Sequence, residues 1–141
     1  SDVPDAVKGV EWICFGSNAF NTVVPVYTNT DKMPKYLSEV ALDVSTENFY
    51  WGSRLIGALA DHNYGTSTQF IERYQMAVAS QGHQIINEYD RKMIEAGRFD
   101  LMNEANEKLA AMARNETTNT LNNVVLDASK NMKNNYNRSD N

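Results

Sequence analysis

Apolar positions change their rhythm partway along the chain. Between residues 8 and 29 they cluster in short runs, Val10-Glu11-Trp12-Ile13-Cys14-Phe15 and Val23-Val24-Pro25-Val26-Tyr27. Runs of this length, rich in β-branched and aromatic residues, predict two strands, and the first is apolar enough to want burial on both faces. Gly16-Ser17-Asn18-Ala19-Phe20-Asn21 supplies turn chemistry between them, so the pair reads as a hairpin with a loop longer than the tightest type. Pro25 has no N–H to give to a ladder, which places it at an edge, a bulge or a strand start.

From about residue 47 the rhythm becomes helical. Trp51, Leu55, Leu59 and His62 recur at spacings of four, four and three, predicting a helix from Thr46 or Glu47 to about Asp61 with those four on one side and Trp51, Leu55 and Leu59 buried. Gly52 and Gly57 inside it each cost about 1 kcal/mol of helix propensity relative to Ala, and a close backbone approach is the expected compensation. Tyr64-Gly65 is the predicted stop. Thr66 followed by Gln69 has capping-box spacing and predicts the next start. Ile71, Tyr74, Val78, Gly82, Ile85, Tyr89 and Met93 then form a seam of about six turns, closed by Ala96-Gly97. A third helix is expected from about Asp100, with Met102, Ala105, Leu109 and Met112 on one stripe and Leu121, Val124, Val125, Ala128 and Met132 on a second. The polar stretch Arg114 to Thr120 lies between, and one long helix, bent or loosened near Thr117 and frayed after Asn134, is the reading. The short link at Gly97 makes the last two helices antiparallel neighbours.

The fold class is therefore mainly α with a β-hairpin: residues 1–30 a hairpin segment, 31–46 a connecting loop, and 47–141 a helical region with a long helical hairpin. A two-stranded hairpin with two apolar faces is not stable alone in water, and no other strand is visible to extend it. The chain reads as a piece of something larger.

Composition narrows the function. The 141 residues carry 13 Lys and Arg against 18 Asp and Glu, a formal net charge of -5, with no basic stripe to displace counterions from phosphates, so nucleic acid is not an expected partner. No apolar run approaches the ~20 residues of a membrane span and no signal peptide opens the chain, so a membrane is not expected either and the location reads as cytoplasmic. The single cysteine excludes an internal disulfide and suits a reducing compartment. Seventeen asparagines, most of them beyond residue 103, are an unusual load for helices.

Candidate chemistry is sparse. Cys14 sits between Ile13 and Phe15, away from a helix N-terminus or a base that would lower its pKa, and reads as a buried structural cysteine. His62 falls at a helix end and His83 in a polar helical stretch, and their spacing matches neither a metal site nor a triad. Glu104, Glu107 and Glu116 lack the histidine partners of a di-metal bundle, so no metal or other cofactor is expected. Ser1 as an N-terminal nucleophile would open a buried strand, whereas Ser1-Asp2-Val3-Pro4-Asp5 is polar. The sequons at Asn115 and Asn137 read as coincidences of an Asn-rich segment.

Glu11-Trp12-Ile13-Cys14-Phe15-Gly16-Ser17, Val24-Pro25-Val26-Tyr27, Pro34 and Phe49-Tyr50-Trp51-Gly52-Ser53-Arg54-Leu55 together resemble the C-terminal part of the dipeptidase A family. The helical stretch from Phe70-Ile71-Glu72-Arg73-Tyr74-Gln75 onward is consistent with the same place. These are bacterial cysteine peptidases, typical of lactic acid bacteria, with the N-terminal-nucleophile hydrolase fold. The resemblance implies an α-β-β-α sandwich in the complete enzyme and a nucleophilic cysteine at its mature N-terminus. Cys14 does not match that position, so no catalytic residue carries over and the fragment is expected to be inactive. Ser17 and Asn18 on the hairpin loop, and Arg54 as a partner for a carboxylate, are the candidate substrate-binding residues. The implied partners are the upstream part of the same polypeptide and a dipeptide substrate, with a homo-oligomer possible. The rival expectation is a non-catalytic helical interaction or oligomerisation module whose seam of Ile71, Tyr74, Val78, Ile85 and Tyr89 faces another chain.

Overall fold

The computed structural model describes residues 9–15 and 20–139, with side chains through residue 134. Strands β1 (Val10–Ile13) and β2 (Val24–Tyr27) pair antiparallel in a two-stranded sheet, in the register Val10 to Tyr27 and Ile13 to Val24. A four-residue helix, α1 (Lys35–Ser38), interrupts the segment that reads as loop in the sequence. Then come α2 (Phe49–His62), α3 (Tyr64–Ala96), a 3-10 turn at Phe99–Leu101, and α4 (Met102–Ser139).

The long helical hairpin is the scaffold. Ile71, Tyr74, Val78, Gly82, Ile85, Tyr89 and Met93 are all buried on α3, as their spacing predicts, and Met102, Ala105, Leu109 and Met112 are buried on α4. Each large member of this seam removes enough apolar surface from water to stabilise the fold by roughly 1.5–3 kcal/mol. Gly97 ends α3 in the left-handed conformation at φ 63°, with its N–H on the carbonyl of Met93, a geometry open to glycine at little cost. The polar stretch after Arg114 does not break α4. Thr117 is buried there and its hydroxyl lies 2.8 Å from the hydroxyl of Tyr74, so the hydrogen-bonding capacity of the stretch is used inside the helix pair. The second stripe of α4 is narrower than its spacing suggests: Val124 and Ala128 are buried, whereas Val125 and Met132 face outward.

The start of the helical region differs from its sequence reading in three ways. Asn48 caps α2, its side-chain oxygen accepting from the amide of Trp51 at 2.9 Å. The buried face of α2 consists of Phe49, Gly52, Ser53, Ile56 and Ala60, not the Trp51 stripe. The small residues let the backbone approach α4, where a Cβ on Gly52 would stand 2.8 Å from Thr117 Cγ2. Trp51 is half-buried because its indole N–H reaches the carbonyl of Ala41, 2.8 Å away in the preceding loop. Gly57 makes only ordinary contact, with Asn21 Nδ2 3.5 Å from where a Cβ would lie. Thirdly, the chain breaks at Asn63, and Tyr64-Gly65 opens α3 instead of closing α2. Thr66 then falls inside the first turn and no capping box forms. Its hydroxyl lies 2.6 Å from Asp127 Oδ2 on α4 and 3.1 Å from the carbonyl oxygen of Asn63, in a helix that already begins at Tyr64.

The hairpin lies against this scaffold with its two edges in different states. Pro25 rests on Gly82 of α3, where a Cβ would meet its ring carbons at 3.0 and 3.1 Å. The Trp12 ring tilts against His83 with centroids 5.0 Å apart. Tyr27 is buried, and its hydroxyl donates to Asp90 Oδ1 at 2.6 Å, also lying 3.1 Å from the carbonyl oxygen of Ile86. On the outer edge of β2, the Asn106 side chain of α4 accepts from the Tyr27 amide at 2.8 Å and donates to the Tyr27 carbonyl at 2.9 Å. One buried amide thus completes the edge as a neighbouring strand would. Pro25 lies two residues earlier on that same outward-facing set, so its missing N–H removes nothing from the β1–β2 ladder. The other edge belongs to β1. Among the described residues no strand pairs with it, and Glu11 and Trp12 are exposed there, Trp12 to 41%.

Candidate functional site

The site is built on the face of α2 that turns towards the hairpin loop. Tyr50, Ser53, Arg54, Gly57, Ala58 and Asp61 fall at spacings of three and four, and with Phe15, Phe20 and Asn21 they line a groove of about 400 Å³. Gly57 and Ala58 keep its floor low. Phe15 stands edge-on to Tyr50 and Phe49, with ring centroids 5.5 and 5.7 Å apart, which makes one wall a rigid aromatic surface.

Arg54 lies on this wall. Its guanidinium sits 5.6 and 5.7 Å from the ring centroids of Tyr50 and Trp51 and donates one N–H to Tyr50 Oη at 3.1 Å. Among the described residues it forms no ion pair, so most of its five donors are available to something else. Ser53 is fully buried, and its hydroxyl has no hydrogen-bond partner among the described residues. The backbone carbonyl of Asn21, at the groove's other rim, accepts from Gln75 Nε2 at 2.9 Å and ties the end of the loop to α3.

Of the three site residues read from the sequence, Arg54 is in this groove. Ser17 and Asn18 lie outside the described residues, between Phe15 and Phe20, both of which line it. Tyr50, Ser53 and Asp61 escaped the sequence reading. The signal that marks them is their place on one helix face with Arg54: Tyr50 four residues before it, Ser53 three after Tyr50, and Asp61 seven after Arg54.

Cys14 is half-buried, not fully buried as its flanks suggest, and burial pushes its thiol pKa up. A thiol so shifted holds less thiolate, the reverse of what a nucleophile needs. His62 is exposed at the end of α2 and His83 packs on Trp12, so the structure does not bring either histidine to the groove. Among the described residues no group of three His, Cys, Asp or Glu side chains is placed to hold a metal ion. No helix among them is long and apolar enough to cross a membrane.

The chain belongs to peptidase family C69, whose model matches residues 1–77. It is 34% identical over 137 residues to the probable dipeptidase A of Streptococcus pyogenes serotype M18, an alignment covering 97% of this chain and 29% of that protein. A dipeptidase of Bifidobacterium longum is 37% identical over 94 residues, covering 67% of this chain and 18% of the relative. The probable dipeptidase B of Lactococcus lactis is 34% identical over 134 residues, covering 94% and 28%. The chain thus spans less than a third of the length of these relatives.

Proposed function

We propose that this chain is the C-terminal, mostly helical part of a cysteine dipeptidase, and that it forms one wall of the substrate cleft while the nucleophile lies outside these residues. The observation that carries this reading is the unequal hairpin: the outer edge of β2 is sealed by Asn106, whereas the outer edge of β1 has no strand beside it among the described residues. An open, partly apolar strand edge is a template for further pairing. The upstream part of the same polypeptide is the partner that supplies it, extending the hairpin into the sheet of an N-terminal-nucleophile sandwich.

In the complete enzyme an N-terminal cysteine thiolate attacks the peptide carbonyl, its own α-amine carries the proton to the leaving amine, and water then releases the acyl group. The hairpin loop with Ser17 and Asn18, together with Arg54, contributes to substrate binding. Cys14 takes no part in the chemistry, because its raised pKa works against thiolate formation. A cytoplasmic, reducing setting suits a cysteine enzyme. The competing reading as an interaction module loses support, because Ile71, Tyr74, Val78, Ile85 and Tyr89 are buried within the chain itself.

The test is dipeptide hydrolysis by the chain alone and after co-expression with the upstream part of its parent polypeptide. The expected result is no activity from the chain alone and alkylator-sensitive activity from the pair, unchanged by Cys14→Ser. Hydrolysis by the chain alone that Cys14→Ser abolishes refutes the proposal.

A further inference from the structure

The hairpin lies lengthwise on α3 and covers only part of its surface. Three contacts along β2 and its approach fix the direction: the Asn21 carbonyl accepts from Gln75 Nε2, Pro25 rests on Gly82, and the Tyr27 hydroxyl reaches the Ile86 carbonyl. The two segments therefore run the same way, side by side. Met76, His83 and Asn87 each come one residue after those three α3 positions, so they form the neighbouring row, about 100° further round the helix. Ser80 and Ile94 continue that row. β1 reaches it where the Trp12 ring packs on His83. The rest of the row is exposed, Met76 to 73% and Ile94 to 46%. A groove of about 670 Å³ runs beside it, lined by His83 and, on the side turned away from Gly82, by Ser80, Gln84, Asn87 and Arg91. All of its lining belongs to α3, so the groove has one wall among the described residues.

We propose that this row of α3 is the floor on which a strand from the upstream part of the same polypeptide lies when it pairs with β1. That a strand joins β1 rests on the reading above, whereas its seat on α3 and the chemistry of its inner face are inferred from the row and the groove. Val10 and Trp12 turn their backbone groups away from β2 and hold the new main chain. It stands about 4.8 Å beyond β1, over the open row. Met76 and Ile94 are eighteen residues apart, about 27 Å of helix, which matches about eight extended residues. Alternate side chains of that strand point at α3. Those at its two ends meet Met76 and Ile94 and are apolar, and those between meet His83 and Asn87 and are polar. Arg91 forms no ion pair among the described residues, whereas Glu88 beside it is held by Lys92 and Lys108. A carboxylate on the strand's inner face therefore suits Arg91. The upstream part is the occupant because this chain covers less than a third of its relatives, and one strand completes both the open edge and the one-walled groove.

The experiment measures maleimide modification of Ser80→Cys, Asn87→Cys and, as a control on the exposed side of α4, Ser129→Cys, read site by site by mass spectrometry. Each variant is made in this chain alone and in the full-length parent polypeptide. All three are modified quickly in the chain alone. In the full-length protein, modification at positions 80 and 87 slows more than about tenfold while that at 129 does not, since a thiol under a strand is out of reach. In a second measurement Met76→Asp and Ile94→Asp each retain about tenfold less of a co-expressed upstream part, because each buries an unpaired charge, and the exposed Met132→Asp on α4 retains as much as the parent chain. Modification at 80 and 87 as fast in the full-length protein as in the chain alone overturns the proposal. Protection already present in the chain alone and rising with its concentration assigns the row to a second copy and overturns it too. Its failure is separable from that of the dipeptidase reading. Hydrolysis of dipeptides by a full-length protein whose positions 80 and 87 stay open leaves that reading standing, and protection without hydrolysis leaves the seat on α3 standing alone.

Discussion

Asn106 offers the sharpest energetic test of how the hairpin is held. Its side chain is fully buried on α4 and serves both the amide and the carbonyl of Tyr27, at 2.8 and 2.9 Å. Asn106→Ala leaves that donor and that acceptor without partners in a site too buried for water to replace them easily. An unsatisfied buried polar group costs about 1–3 kcal/mol, so the pair is worth about 2–6 kcal/mol, a large share of the 5–15 kcal/mol that stabilises a typical domain. Asn106→Leu fills the volume but restores neither hydrogen bond, and it should fall in the same range. Asn103→Ala is the control, because among the described residues the Asn103 side chain bonds only the exposed Thr30 hydroxyl and its loss should cost less than about 1 kcal/mol. Urea unfolding followed by tryptophan fluorescence reads the difference. With a slope of about 1–3 kcal/mol per molar, the midpoint falls by on the order of 1–3 M, and exchange of the Tyr27 amide accelerates. Asn106→Leu as stable as the parent, or Asn106→Ala within about 0.5 kcal/mol of it, would show that the edge needs no polar partner and refute the reasoning.

Two further perturbations probe the packing and the titration behaviour. Gly52→Ala gains about 1 kcal/mol of helix propensity but forces a methyl to within 2.8 Å of Thr117 Cγ2, and overpacking of that kind costs about 1–3 kcal/mol. A net loss of up to about 2 kcal/mol is expected, and it should shrink when Thr117→Ser removes the opposing methyl, a coupling that a double-mutant cycle measures. Tyr89 is pushed up to about 12 by burial and by its 2.8 Å hydrogen bond to the Glu104 carboxylate. Tyr74 and Tyr27 are also raised, chiefly by burial. Because these groups ionise later when folded than the ordinary value of about 10, their contribution to stability is intact below about pH 10 and is lost as pH rises through the folded values. Ultraviolet titration should show exposed tyrosines ionising first and these three lagging until the chain opens. Uniform titration near pH 10 would contradict the structure.

What was legible in the sequence was legible because it repeats. The α3 seam is read from seven positions of one period, and Gly97 from the conformation that few other residues adopt. The groups that position the hairpin and the groove do not repeat. Asn106 is one asparagine among seventeen, and its partner is 79 residues away. The α2 core face is hidden because Gly52, Ser53 and Ala60 are too small to register as hydrophobic, while Trp51 is conspicuous yet turns its indole N–H to a loop carbonyl. Thr66 cannot cap a helix that already begins at Tyr64, and its hydroxyl turns to Asp127 on α4 instead. In the candidate site, Arg54 stands out as a lone cation in an apolar stretch. Ser53 and Asp61 acquire meaning only once the helix brings them to the same groove.

The central claim is that the outer edge of β1 receives the rest of the protein. Its most direct test is amide hydrogen exchange at Val10 and Trp12, measured in the chain alone and again with the upstream part of the parent polypeptide bound. These two amides alternate with those that bond β2, so they point to the open edge. The account predicts fast exchange in the chain alone and strong protection of both in the assembly, with the amide of Tyr27 protected in each. Equal exchange at Val10 and Trp12 in the two states would contradict it.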